Sequence, residues 1–122
     1  MLHTTHVNNV NKINKKMKIY CIIENKGNDS VLPDNEDLFF FRKGLLTWHG
    51  FKLNYTSKMY KPEAIKWMER VSSEAANKDV VLVDEEENAN HSCRKILAET
   101  MENMYSGSMG FHYLGELTFN ED

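Results

Sequence analysis

Two apolar segments of the chain each end in acidic and amide side chains, which are the residues best suited to do chemistry. The first segment is KIYCIIE (18–24), and the second is DVVLVD (79–84). The polar residues that end or follow these segments, and are candidates for ligand binding, are Glu24, Asn25, Asp29, Asp84 and Asn88. The candidate metal ligands are Glu24, Asp84 and Glu86, since crowded carboxylate oxygens suit Mg²⁺.

These side chains meet only if the two segments are neighbouring parallel strands. Both segments are short, continuous runs of apolar and β-branched residues, typical of strands buried on both faces of a sheet. Parallel α/β sheets bind ligands beyond the carboxyl ends of their strands. We therefore expect Glu24 and Asp84 at one edge of the sheet, where crowding would raise the pKa of each carboxyl.

Three helices are predicted around these strands. Asp34 can cap a helix that continues to a glycine stop at Gly50. Pro62 begins a second helix with a clear apolar face. Asn88 or Asn90 can cap a third helix after the acidic loop.

Two further strands complete the expected fold. FKLNYT (51–56) alternates apolar and polar residues, which is typical of a half-buried strand. FHYLGELTF (111–119) predicts a last strand with Gly115 as a bulge. The order β-α-β-α-β-α-β predicts a small three-layer, doubly wound α/β fold with a mainly parallel, four-stranded sheet.

The domain organisation expected from composition is simple. A chain of 122 residues suits one domain. Residues 1–17 are basic and rich in Asn, which predicts a flexible tail, followed by a single α/β domain at 18–119 and a frayed end at 120–122. No apolar run reaches the roughly 18 residues of a membrane span. With no secretion signal and two cysteines that favour reduced thiols, we expect a cytoplasmic protein.

Charge is distributed unevenly along the chain. Residues 1–61 carry ten Lys/Arg and five Asp/Glu, whereas residues 62–122 carry five and thirteen. The overall acidic balance disfavours general nucleic-acid binding, which requires clustered cations. The basic and aromatic stretch from Phe39 to Lys61 could stack bases, with core packing as the alternative explanation of its aromatic residues.

The stretch from Gly50 through Pro62 to Asp84 resembles the middle of a response-regulator receiver domain. That family has a glycine before the second strand, a Glu-Ala-hydrophobic helix and an aspartate ending the third strand. The resemblance implies a flavodoxin-like fold with Asp84 as phospho-acceptor. The acidic pair after the first strand is reduced to Glu24-Asn25, so the likeness is to a truncated, phosphorylation-incompetent receiver domain.

Glu24 together with Asp84 and Glu86 is similar to the acidic set of Toprim domains. Those domains place a glutamate after the first strand and an acidic pair after the third, and they hold Mg²⁺ for nucleic-acid strand chemistry. This resemblance implies a Mg²⁺-dependent phosphoryl or nucleic-acid enzyme as the alternative function.

The patterns favour binding over catalysis, because the loops lack a complete set of nucleophile and base. We expect a small regulatory protein, without a cofactor, whose partner is another protein or a nucleotide-like ligand. The Asn- and Lys-rich composition is typical of phage and low-GC bacterial proteins. A four-stranded sheet has exposed edges, which predicts a homo-oligomer, such as a homodimer joined by paired edges.

Overall fold

The protein folds around a four-stranded parallel sheet with its α-helices packed on one face. The structure is a computed structural model that describes residues 1–24 and 26–119. The strands are β1 (Leu2–His6), β2 (Lys18–Cys21), β3 (Val80–Asp84) and β4 (Tyr113–Glu116). The α-helices are α1 (Asn35–Arg42), α2 (Trp48–Lys58), α3 (Pro62–Asn77) and α4 (Cys93–Met109). Short 3-10 helices lie at Val7–Lys12, Asp29–Val31 and Ala89–His91.

The strand order in the sheet is β2-β3-β1-β4, and all the pairs are parallel. β2 and β3 are direct neighbours, with Lys18 opposite Val80 and Cys21 opposite Val83. The predicted α/β class with a parallel four-stranded sheet is therefore confirmed. The expectation that the two apolar segments lie side by side and point the same way is also confirmed.

The two faces of the sheet are covered by different parts of the chain. On one face, side chains from α2, α3 and α4 form the larger core with Leu2, Val80 and Leu82. On the other face, Val81 and Val83 pack against Ile13 and partly buried residues near the 3-10 helix Val7–Lys12. The sheet thus lies between two covering layers, which is consistent with a small flavodoxin-like fold.

The predicted flexible tail at residues 1–17 was wrong, because β1 is a central strand of the sheet. Leu2 is fully buried in the larger core. The buried Thr4 hydroxyl lies 2.6 Å from the Tyr113 hydroxyl, and the Thr5 hydroxyl accepts a 3.0 Å hydrogen bond from the Asn9 side chain. These polar residues tolerate burial because each is paired.

The predicted strand at residues 51–56 was also wrong, since this segment forms most of α2. Phe51, Tyr55 and Met59 recur every fourth residue and are buried together. The Thr47 hydroxyl caps the helix by accepting a hydrogen bond from the Gly50 N–H at 3.0 Å. The element order is therefore β-β-α-α-α-β-α-β, with β1 supplying the fourth strand.

Helix boundaries follow local chemistry. The Asp34 carboxylate accepts hydrogen bonds from the N–H groups of Glu36 and Asp37 at 2.9 and 3.2 Å, which confirms the predicted cap of α1. α1 ends at Arg42 rather than continuing to Gly50, because Gly44 has a positive φ of 76° that breaks the helix. Pro62 begins α3 as predicted.

The last helix and strand differ slightly from their predicted bounds. The Ser92 hydroxyl, rather than Asn88 or Asn90, caps α4. β4 is shorter than the predicted strand, and the β1–β4 register shifts where Gly115 has a φ of 89°. The expected irregularity at Gly115 is therefore confirmed. Residues 120–122 lie outside the described part of the chain.

Within residues 1–24 and 26–119, no helix has the length and apolarity needed to cross a membrane.

Candidate functional site

A pocket of about 420 Å³ lies at the carboxyl ends of β2 and β3, beside α1. Its apolar wall comes from the chain after β2 and from the start of α1, and its polar rim comes from α1 and the loop after β3. The lining residues are Ile22, Ile23, Glu24, Leu32, Pro33, Asn35, Leu38, Phe39, Arg42, Lys43 and Glu85. This is the edge of a parallel sheet at which ligands bind, and the volume lies in the range of small-molecule sites. We call it the carboxyl-edge pocket.

Arg42 stands at the rim of this pocket and is held by the loop after β3. Its Nε and Nη2 atoms donate hydrogen bonds to Glu86 Oε1 at 3.0 and 2.5 Å. Glu85 Oε1 lies 3.9 Å from the same guanidinium. The exposed end of α1 is thereby joined to the carboxyl end of β3, which fixes one side of the pocket.

Behind the pocket, Arg94 on α4 joins β3 to β4. Its side chain is buried and donates to Asp84 Oδ1, to the Glu86 carbonyl at 2.7 Å and to Glu116 Oε1. The Arg94 backbone N–H donates to Asp84 Oδ2 at 2.9 Å. Asp84 is therefore occupied on both oxygens by the first turn of α4.

Burial dominates the electrostatics of this network. Desolvation raises the pKa of the Asp84 carboxyl, although the charge and hydrogen bonds of Arg94 act in the opposite direction. Desolvation lowers the pKa of Arg94, but hydrogen bonding to Glu116 and the charge of Asp84 outweigh it and raise that pKa overall. Desolvation therefore prevails for Asp84, which interacts with one guanidinium. The charge and hydrogen bonds of the partners prevail for Arg94, which interacts with two carboxylates.

The predicted ligand-binding residues are only partly brought together. Glu24 lines the carboxyl-edge pocket. Asp29 lies instead in a separate depression with Lys58 and Lys61, and Asn25 lies outside the described residues. Asn88 caps the 3-10 helix Ala89–His91 by accepting a hydrogen bond from the Asn90 N–H at 3.0 Å.

The predicted metal set of Glu24, Asp84 and Glu86 is not assembled. Asp84 is engaged by Arg94, and Glu86 is engaged by Arg42. Among residues 1–24 and 26–119, no three His, Cys, Asp or Glu side chains are placed to hold a metal ion. Asp84 is buried and paired with Arg94, whereas the receiver resemblance implies an accessible phospho-acceptor carboxylate.

Cys93 borders a small extension of the pocket but is a poor nucleophile. It is a buried free thiol, and burial together with the nearby charges of Asp84 and Glu86 raises its pKa well above the usual range. The thiolate, not the thiol, is the reactive form. Cys21, the other free cysteine, is half-buried on β2.

We expect Ellman's reagent to modify Cys21 and to spare Cys93 in the folded protein near pH 8. The measurement is the thiol count per chain before and after denaturation in guanidinium. A Cys21→Ser variant should show no rapidly reacting thiol until it unfolds. Rapid modification of Cys93 in that folded variant would contradict the inert environment described above.

The site residues predicted from the sequence did not include the cations that organise the site, although Arg42 and Lys43 lie in the basic and aromatic stretch from Phe39 to Lys61. Arg42 and Lys43 line the pocket, and Arg94 bridges Asp84 and Glu116 near the carboxyl ends of β3 and β4. The sequence did hold one indication of the Arg94–Asp84 pair. Arg94 lies only ten residues after Asp84, in the first turn of the next helix, and so close to the end of the strand that carries Asp84. Glu116 gave no comparable signal, since its pairing depends on β4 lying beside β1.

Comparison with known families gives one match. A family model described as "Domain of unknown function DUF488" matches residues 23–101, roughly two thirds of the chain. This segment contains most of the pocket lining and both Asp84 and Arg94. No curated protein and no solved structure matches the chain.

Proposed function

We propose that this chain, which belongs to the DUF488 family, is a binding protein that holds a small nucleotide-like ligand in the carboxyl-edge pocket. The observation that carries the proposal is the pocket itself, whose lining combines an apolar wall with Arg42 at the end of α1 and Lys43 directly after it, at the ligand-binding edge of a parallel sheet. A nucleotide presents the matching pair of surfaces, a flat base and an anionic phosphate.

The apolar wall suits the base. Ile22 is buried beneath the pocket, Leu38 is partly buried beside it, and Phe39 is 54% exposed at its rim. An exposed aromatic ring next to aliphatic side chains offers a stacking surface, and stacking of one base on such a ring contributes about 1–3 kcal/mol.

The cations suit the phosphate. Lys43 lies with its Nζ 5.7 Å from the centre of the Phe39 ring, and it forms no ion pair with any described residue. Arg42 adds positive charge at the rim of the pocket, while its Nε and Nη2 atoms donate to Glu86. Glu24 and Glu85 on the same rim can accept hydrogen bonds from sugar hydroxyls or from base amino groups.

The side chains of the pocket favour binding without catalysis. No Ser, Thr, Cys or His occurs in the described lining, so that wall offers no hydroxyl or thiol nucleophile with an imidazole base. Cys93 lies beyond it as a buried, protonated thiol. The proposed role is therefore recognition of the ligand by α1 and the strand ends.

The proposal is tested with the four ribonucleoside 5′-monophosphates and the corresponding nucleosides, by thermal unfolding and isothermal titration. We expect at least one monophosphate to stabilise the protein, by about 2.7 kcal/mol at a hundredfold excess over its Kd. The nucleoside without phosphate should bind at least about tenfold more weakly.

Matched variants locate the binding. Lys43→Ala and Phe39→Ser should each weaken binding by about tenfold or more, whereas Lys66→Ala, an exposed lysine on α3, should leave it unchanged. The proposal fails if none of the four monophosphates binds, or if both pocket variants bind as tightly as the unmodified chain.

A further inference from the structure

Residues 38–62 form a segment with an unusual surface. The segment contains five Lys/Arg and no Asp or Glu, although the whole chain has a net charge of −3. Among the described residues, seven large hydrophobic side chains are exposed, and five of them lie in this segment. They are Phe39, Phe40, Leu45, Leu53 and Tyr60. Monomeric proteins seldom cluster exposed apolar side chains unless they meet a partner.

The end of α1 and the start of α2 bring part of this segment into one corner. The N–H groups of Leu45 and Leu46 both donate to the Phe40 carbonyl, at 2.8 and 3.2 Å. Leu46 in turn packs so closely on Gly50 that a Cβ there would lie 2.9 Å from its Cδ1 atom. Leu53 follows Gly50 by one helical turn.

We use the name basic apolar corner for the exposed apolar and basic residues at the end of α1 and on α2, namely Phe40, Lys43, Leu45, Lys52 and Leu53. Leu45 is 75% exposed and Leu53 is 56% exposed, which is unusual for aliphatic side chains. Neither Lys43 nor Lys52 has a carboxylate partner among residues 1–24 and 26–119. The corner therefore combines exposed leucines with lysines that pair with no carboxylate in the described part of the chain.

We infer that the basic apolar corner docks an acidic segment of another protein that carries apolar side chains. The charge of the corner selects acidic residues, since Lys43 and Lys52 pair with no carboxylate among the described residues. The exposed leucines favour a protein over a nucleic acid, because aliphatic side chains offer no face on which bases stack. Amphipathic segments bind such surfaces by inserting apolar anchors while their charged residues pair at the rim.

The probe is a displayed library of random 16-residue peptides, selected on the folded protein. We expect the enriched peptides to combine Asp or Glu with Leu, Phe or Trp. Individual peptides are then synthesised and measured by fluorescence anisotropy. Leu45→Ser/Leu53→Ser and Lys52→Glu should each weaken their binding by about tenfold or more.

Control variants distinguish the corner from general stickiness. Leu114→Ser removes an exposed leucine of β4, and Lys66→Glu reverses an exposed lysine of α3, so neither should change peptide affinity. The residues changed here do not line the carboxyl-edge pocket, so nucleotide binding should also persist. Failure of this inference is thus separate from failure of the proposed function.

Three results would overturn the inference. The first is an enriched peptide set without acidic residues, or affinities that the corner variants leave unchanged. The second is tight binding of a 12-residue oligothymidylate that is lost in Lys52→Glu, which would assign the corner to single-stranded nucleic acid. The third is a concentration-dependent dimer, detected by sedimentation, that Leu45→Ser/Leu53→Ser abolishes, which would assign it to a second copy of the chain.

Discussion

An Arg94→Met variant is expected to lose about 3–5 kcal/mol of unfolding free energy, because the change leaves a buried carboxylate without its counter-charge. Arg94 is 1% exposed and Asp84 is 3% exposed. Methionine fills a similar volume but supplies none of the donors that reach Asp84, Glu116 and the Glu86 carbonyl. The variant is measured by urea unfolding followed by circular dichroism.

Arg42→Met is the matched control, because Arg42 also pairs with a glutamate but remains about half exposed. Exposed ion pairs contribute little, so we expect a loss below about 1 kcal/mol. The double variant Arg94→Met/Asp84→Asn should recover part of the stability lost by Arg94→Met, since it removes the unpaired charge as well. Equal stability of Arg94→Met and the unmodified protein would show that this buried network is not what joins α4 to the sheet.

The destabilisation should also depend on pH in a defined direction. Burial already places the pKa of Asp84 above its usual value in the folded protein. Removing Arg94 takes away the charge that opposes this shift, so the folded-state pKa of Asp84 should rise further. Protonated Asp84 needs no counter-charge. The difference in unfolding free energy between the unmodified protein and Arg94→Met should therefore shrink as pH falls below the pKa that Asp84 has in the folded variant. It should grow as pH rises through the interval between the two folded-state pKa values.

The position of the pocket could be predicted from the sequence because it depends on only two short patterns. Each of the two apolar runs forms a strand and ends in an acid. The expectation that both are buried on both faces holds for β3 alone, because β2 is an edge strand whose residues are half-buried or exposed. Parallel pairing then brings Glu24 and Asp84 to the same edge. The sequence did not show that an arginine would pair with the Asp84 carboxylate, because the charge partner of a side chain depends on how the elements pack. Arg42 and Glu86, 44 residues apart, illustrate the same limit.

The errors in the fold have a different physical origin. In α2, Phe51, Leu53 and Tyr55 alternate as in a strand, but Phe51, Tyr55 and Met59 also fit a helix, and packing against the core selects the helix. Exposure of Leu53 is the consequence, and it contributes to the basic apolar corner. In β1, LHTTH is too polar for a hydrophobic pattern to detect. Only its adjacent β-branched threonines favoured a strand.

Deletion of residues 1–6 therefore tests the largest difference between expectation and structure, and we expect the shortened chain not to fold. β1 lies between β3 and β4 and forms hydrogen bonds with both. Its loss separates β4 from the rest of the sheet and removes Leu2 from the larger core. Small domains are stable by only about 5–15 kcal/mol, which is too little to tolerate losing a central strand. The expected result is a chain without a cooperative unfolding transition or dispersed amide resonances.

Point variants separate the role of the strand from that of the basic residues after it. Leu2→Ala should cost about 2–5 kcal/mol, as truncation of a fully buried leucine does. Lys15→Ala/Lys16→Ala changes two exposed residues outside the strand and should alter stability by less than about 0.5 kcal/mol. If a chain beginning at Met17 unfolds with the same midpoint and cooperativity as the full chain, residues 1–16 are a dispensable tail after all. In that case β2 and β3 alone would have to form a stable two-stranded sheet.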